Sequence, residues 1–185
     1  MATVGPSGET PQYSGRDVHH PGLGKESEIA AELEVEAARW AQISELVELL
    51  TPEERLVPGY FRNPDWTVKD LLAHLGWWHA EARSELLKIA SRTYEAHDFD
   101  VDRRNAEVLA AHKDEPWDLV LSRTTAARAW MLEALLGLRG RSNAANQWVR
   151  KAGAEHYGEH VNRLRAWTAE LIDVRHAPKR DERDP

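Results

Sequence analysis

Apolar residues recur along most of this chain at steps of three and four, the spacing that keeps one face of a helix hydrophobic. The first such stretch runs from about Ser27 to Leu50 and carries Ile29, Leu33, Trp40, Ile43, Val47 and Leu50. Glu28, Glu32, Glu34 and Glu36 gather toward its N-terminal half, where the helix dipole favours anions. Thr51-Pro52-Glu53-Glu54 predicts a new start, with Thr at the cap, Pro next and Glu completing a capping box. The turn it opens ends by Pro58, and Gly59 to Asp65 is a connector. A second long helix follows Trp66, with Thr67 as N-cap and Asp70 at the third position. It reaches about Arg92, and Leu71, Leu75, Trp78, Ala82, Leu86 and Ile89 form its core stripe.

Thr93 to Asp102 predicts a loop. Its alternating Asp98, Asp100 and Asp102 resemble a fragment of a calcium loop, but the required Gly and distal Glu are missing. A short helix covers Asp102 to His112. Pro116 then opens a third long helix to about Leu138, with Val120, Thr124, Ala127, Met131 and Ala134 on its buried side. Gly137 and Gly140 are its stop signals. Ser142 or Asn143 caps a fourth helix that runs to about Val174. Gly153 and Gly158 lie inside it, each costing about 1 kcal/mol relative to Ala. A close approach by another helix or a ligand would explain them. Four long amphipathic helices with almost no strand signal predict an all-α four-helix bundle. The connection from Arg92 to Pro116 is too long for a helical hairpin and crosses the bundle. The domain is expected over residues 27–174, between a disordered tail at 1–26 and a charged tail at 175–185.

Composition narrows the chemistry. At 185 residues the chain suits one domain with tails, and 42% hydrophobic residues is ordinary for a soluble globular protein. The absence of cysteine excludes a disulfide scaffold, a thiolate metal site and a cysteine nucleophile. Any thiol chemistry needs a thiol supplied as a substrate. A formal net charge of -7 argues against general nucleic-acid binding. There is no secretory pattern and no apolar run long enough for a membrane span, so the expected location is cytoplasmic. The expected assembly is a monomer or a homodimer.

The fourth helix carries the most specific signal. His156 and His160 are four residues apart, one turn above each other. Trp148, Ala152, Leu164, Trp167 and Leu171 share their face, all within an arc of about 120°. Two imidazoles in an apolar stripe have two readings, hydrogen-bonded core histidines or a chelate for one metal ion. On the second helix His74 and His79 lie at opposite edges of the stripe, and periodicity does not choose between them. His19-His20 in the N-terminal tail reads as solvated.

Pro64-Asp65-Trp66-Thr67-Val68-Lys69-Asp70-Leu71-Leu72-Ala73-His74-Leu75 resembles the start of the second helix in the DinB superfamily. More narrowly, it is similar to the N-terminal domain of mycothiol-dependent maleylpyruvate isomerase and to the ClbS/DfsB group. Val101-Asp102-Arg103-Arg104-Asn105-Ala106 resembles the crossover segment of those proteins, and His156-Tyr157-Gly158-Glu159-His160 their fourth-helix motif. The likeness spans roughly residues 27–174. It implies a DinB-like four-helix bundle with a long crossover between helices two and three. It also implies a divalent metal, most readily Zn2+ with Ni2+ or Fe2+ as alternatives, held by His74, His156 and His160. In the isomerase branch the first of the helix-four pair is commonly Glu, and here it is His156.

Three neutral imidazoles leave a coordination position open, the arrangement of a catalytic site. The resemblance implies that this position serves a small electrophilic substrate with a low-molecular-weight thiol, mycothiol or bacillithiol, in S-transfer or isomerisation. The alternative is a ClbS-like resistance protein that hydrolyses or sequesters a reactive natural product; a third reading is a site that has become structural. Of the eight tryptophans, Trp78 lies one turn after His74 and is a candidate wall for a substrate pocket. Asn105 and Tyr157 are candidate polar pocket residues. No catalytic residue is assigned, and Glu159 reads as a solvated carboxylate.

Overall fold

Helix dominates the chain, as its apolar periodicity requires. The computed structural model describes residues 23–62, 65–98, 100–138 and 142–178. Among these, six α-helices follow in order: α1 (Leu23–Glu48), α2 (Val68–Ser91), α3 (Val101–His112), α4 (Trp117–Leu136), α5 (Asn143–Ala152) and α6 (Ala154–His176). A single turn at Glu54–Leu56 and a two-residue antiparallel pair, β1 (Phe61–Arg62) with β2 (Asp65–Trp66), fill the connection from α1 to α2. The protein is all-α, and no helix among the described residues is long and apolar enough to cross a membrane.

The caps at Thr51, Thr67 and Ser142 form where the sequence places them, and Asp100 adds one at α3 that it does not assign. Thr67 Oγ1 accepts from the Asp70 amide at 3.2 Å, and Asp70 Oδ2 accepts from the Thr67 amide at 2.8 Å, a closed capping box at the start of α2. Thr51 and Glu54 exchange the same pair of bonds. Asp100 caps α3 through the Arg103 amide, and Ser142 caps α5 through the Ala145 amide. At its other end α2 stops with Arg92 in the left-handed region, φ 62°.

Two boundaries differ from expectation. Helix α1 begins at Leu23, so the last four residues assigned to the N-terminal tail are helical. The rest of that tail, with His19-His20, lies outside the described residues, as do Gly140 and residues 179–185. The larger correction is that the fourth helix is two helices, α5 and α6, broken at Gly153. Glu36 explains the break. A Cβ on Gly153 would stand 2.7 Å from the Val149 carbonyl and 3.1 Å from Glu36 Cγ, so only a bare backbone fits between them. Gly158 is explained in kind, by the Arg39 guanidinium lying over it and donating to the Ala154 carbonyl at 2.5 Å.

Helix α2 is the hub: it packs along α4 and also meets α3 and α5, while α1 lies along α6. Two apolar clusters result. One joins Ile43 and Val47 of α1 to Leu71 and Leu75 of α2 and Leu164 of α6; the other joins Leu86 of α2 to Met131 of α4 and Val149 of α5. The α2–α4 contact depends on Gly76, where an added Cβ would sit 2.6 Å from Thr124 Oγ1 and 3.0 Å from Thr124 Cα. Thr124 is itself held by donating to the Leu72 carbonyl at 2.7 Å.

Gly76→Ala tests this contact by its sign. At an open helix position the change gains about 1 kcal/mol. Here the clash with the α4 backbone outweighs that gain, and overpacking costs about 1–3 kcal/mol. The expected result is a lower thermal midpoint with unchanged helical content, read by circular dichroism.

Candidate metal centre

His74, on the second turn of α2, meets His156 and His160, on the first two turns of α6. His74, His156 and His160 are all buried, and each offers a ring nitrogen within 4.8 Å of the others. His74 Nε2 and His156 Nε2 stand 2.7 Å apart. Ring centroids are 5.2 Å apart for His74 and His160 and 5.0 Å for His156 and His160. These are the three histidines that the resemblance brings together. His79 is not among them: that ring is fully buried five residues further along α2, its Nε2 2.7 Å from the Tyr157 hydroxyl.

All three clustered imidazoles are neutral. Burial first, and then the neighbouring rings, pushes His74 down to about 3 and His156 to about 2, and burial pushes His160 to about 4. The Asn105 side chain and the Ala152 carbonyl oppose the fall at His74 and His156 without reaching hydrogen-bond geometry at Nδ1.

The proton positions test whether a cation fits. The Tyr60 hydroxyl lies 3.2 Å from the His160 carbonyl and 3.1 Å from Nδ1 of the same residue. With its one proton given to the carbonyl, its oxygen receives Nδ1–H and the His160 lone pair is on Nε2. His74 Nδ1, His156 Nδ1 and Asn105 Oδ1 are all buried with no hydrogen-bond partner. Without a cation the two facing Nε2 atoms share one proton, and these three groups stay unsatisfied. With a cation, both Nε2 atoms turn lone pairs toward it and both Nδ1–H groups can turn to acceptors, Asn105 Oδ1 and the Ala152 carbonyl. Tetrahedral zinc spaces its ligand nitrogens about 3.3 Å apart, so His74 and His156 need to part by about 0.6 Å from their 2.7 Å separation. The residues fit a divalent ion.

The cluster forms the floor of a cavity of about 680 Å³. Trp66 and Trp78 flank His74, with ring centroids at 5.1 and 6.4 Å. Tyr94, His97 and Asp98 from the α2–α3 connection form one wall, with Asn105 of α3 beside them; Trp148 and Ala152 of α5 form another. Trp78 and Asn105 therefore lie where the sequence suggests. Tyr157 does not line the cavity: it is fully buried and points the other way, donating to Glu36 Oε1 at 2.9 Å. Glu159 is exposed, as expected, and sits at the rim.

Two polar groups behind the site escape the sequence reading. Glu36 was counted among the dipole-facing carboxylates, yet it is 2% exposed. Arg128 Nε and Nη2 donate to its two oxygens at 2.7 and 2.5 Å, and Tyr157 completes the set. The signal was present, since Glu36 precedes Trp40, Ile43, Val47 and Leu50 at helical spacing on the buried face. Tyr60 gives no such signal, because it sits in a connector without periodicity.

Comparison with protein-family models, with curated proteins and with solved structures finds no match.

The buried imidazoles make apo stability depend on pH with a definite sign. His79 joins the other three, held at about 3 mainly by burial. Each folded value lies below the unfolded value of about 6.5, so the unfolded chain binds more protons between them. Stability is fully present above about pH 7 and falls as pH drops toward 4, by up to about 1.4 kcal/mol per pH unit for each imidazole. Urea midpoints of metal-free protein across pH 4–8 should fall in that direction. The slope should be shallower in His156→Gln; equal slopes would show that His156 is protonated in the native state.

Proposed function

We propose that this chain is a DinB-like four-helix bundle that holds one divalent metal ion through His74, His156 and His160 and acts on a small electrophilic molecule. A low-molecular-weight thiol of the mycothiol type is the co-substrate, and the reaction is S-transfer or isomerisation. The observation that carries the reading is the meeting of three neutral imidazoles from α2 and α6 on the floor of a single cavity. Zn2+ suits an all-imidazole set, with Ni2+ or Fe2+ as alternatives. When bound, the ion supplies a Lewis-acid position for a thiol or for water.

The chain's own residues have separable tasks in this reading. The imidazoles hold the ion because burial keeps them neutral. Tyr60 fixes the tautomer and ring plane of His160. Trp66 and Trp78 wall the floor with apolar surface, which shields a reactive substrate from bulk water. With no cysteine in the chain, attacking sulfur comes from the co-substrate. The cavity's volume of about 680 Å³ also suits the alternative, a ClbS-like protein that hydrolyses or sequesters a reactive natural product. Excess substrate separates the two: repeated turnover supports the enzyme, and a single stoichiometric loss of substrate supports sequestration.

Elemental analysis of untagged protein tests the metal reading. His160→Ala should lose one equivalent relative to wild type and keep its helical content. His79→Gln should keep that equivalent, because His79 Nε2 is directed to the Tyr157 hydroxyl and not to the cluster. Equal metal loss from His79→Gln and His74→Gln would overturn the choice of α2 ligand. Undiminished metal in His160→Ala would overturn the three-histidine site.

A further inference from the structure

Further along α2, Glu81 and Glu85 lie one turn apart, and the α2–α3 connection brings His97 against them. Each of the three offers a ligand atom within 4.8 Å of the others. An acidic pair near a histidine is common on protein surfaces, but Glu85 is not on the surface: its exposure is 0%. Lys88 Nζ donates to Glu85 Oε1 at 2.5 Å, which leaves the other oxygen to be accounted for. Glu85 Oε2 is buried and has no hydrogen-bond partner. A buried carboxylate oxygen is held in native proteins by donors or by a metal, and no donor reaches this one.

His97 has the tautomer such a site needs. Its Nδ1 lies 3.0 Å from the Glu95 carbonyl, which places the ring proton there and the lone pair on Nε2. Two carboxylates and an imidazole form a donor set for a first-row divalent cation. Glu81 stands seven residues beyond His74 on one helix, about 10 Å along its axis. A dinuclear centre requires ions about 4 Å apart, so the two clusters are separate.

We infer that Glu81, Glu85 and His97 form a second divalent-cation site, which fastens the α2–α3 connection to α2. The consequence reaches the cavity. Tyr94, Ala96, His97 and Asp98 all line it; Trp148 touches this wall through the Tyr94 hydroxyl at 3.4 Å and the His97 ring, and the Glu81–Glu85–His97 cluster ties it to α2. Cation binding there sets the position of that wall, whatever occupies the three-histidine floor.

The test uses full-length protein stripped with chelator and titrated calorimetrically with Zn2+ alone. Bound metal is counted after desalting. Wild type should hold one equivalent more than His97→Gln, whose exposed position makes the change tolerable for the fold. Affinity for that equivalent should fall at least about tenfold, the lower range for disturbing a metal site. His160→Ala should retain it. Hydrogen exchange of residues 93–98 should slow on Zn2+ addition in wild type and in His160→Ala, and not in His97→Gln. Glu85→Gln should behave as His97→Gln; if that buried change unfolds the protein, His97→Gln decides alone. Equal stoichiometry and affinity in wild type and His97→Gln would overturn the site. One equivalent lost in His97→Gln and none in His160→Ala would uphold this site while sinking the three-histidine reading.

Discussion

The carboxylate of Glu36 ties three helices together behind the histidine cluster. It sits on α1, accepts two bonds from Arg128 of α4, and accepts a third from Tyr157 of α6. Removing one partner from such a buried pair costs about 3–5 kcal/mol, because the remaining charge is stranded. The same side chain occupies the space that a Cβ on Gly153 would need, so it also fixes where α5 ends and α6 begins. Tyr157 follows His156 directly. Pinning the tyrosine toward α1 therefore turns His156 the other way, onto the cavity floor. The imidazoles are aimed by groups that never touch the cavity.

This division explains how much could be read from the sequence. Helix positions and caps were legible because period and cap chemistry are local: Thr67 with Asp70, Thr51 with Glu54, and Ser142 each need only neighbours within three residues. That His74 and not His79 converges with His156 and His160 follows from no periodicity, which leaves the two equivalent; only the resemblance of motifs chose between them. Hydrogen bonding separates them. His79 Nε2 meets the Tyr157 hydroxyl, whereas His74 Nε2 faces the ring nitrogen of another imidazole. Tyr157 was misread as a pocket residue because adjacency to His156 says which helix it is on and not which face its partners draw it to. The break at Gly153 was hidden because its cause, Glu36, lies more than a hundred residues away in the chain.

Helix α2 carries an unusual polar load for a central helix: His74, His79 and Glu85 are all buried along it. Gly76 lets α4 approach between the two histidines, so the helix is clamped where its polar groups need fixed positions. Each group meets a different fate. His79 is met at Nε2 by the Tyr157 hydroxyl, Glu85 is satisfied at one oxygen by Lys88, and His74 meets only another ring nitrogen. A core keeps unsatisfied polar atoms only where something repays their desolvation. On α2 two of them, His74 Nδ1 and Glu85 Oε2, belong to the two groups in which three metal-ligating side chains converge, and the third is His79 Nδ1.

Charge then separates those two places. The floor of the cavity offers three neutral ligands, so a divalent ion there keeps its full charge. The carboxylates nearest in sequence, Glu155 and Glu159, are exposed at the rim, where water and salt screen them, and Glu155 is 3.4 Å from Arg150. A buried centre with that charge gains most from an anionic partner delivered by a ligand. The cluster of Glu81, Glu85 and His97 supplies two carboxylates of its own, which match a divalent ion without any ligand. Under the proposed reading, an all-imidazole floor suits a centre that takes up an anion such as a thiolate, and the carboxylate pair suits an ion that stays where it is and holds a wall in place.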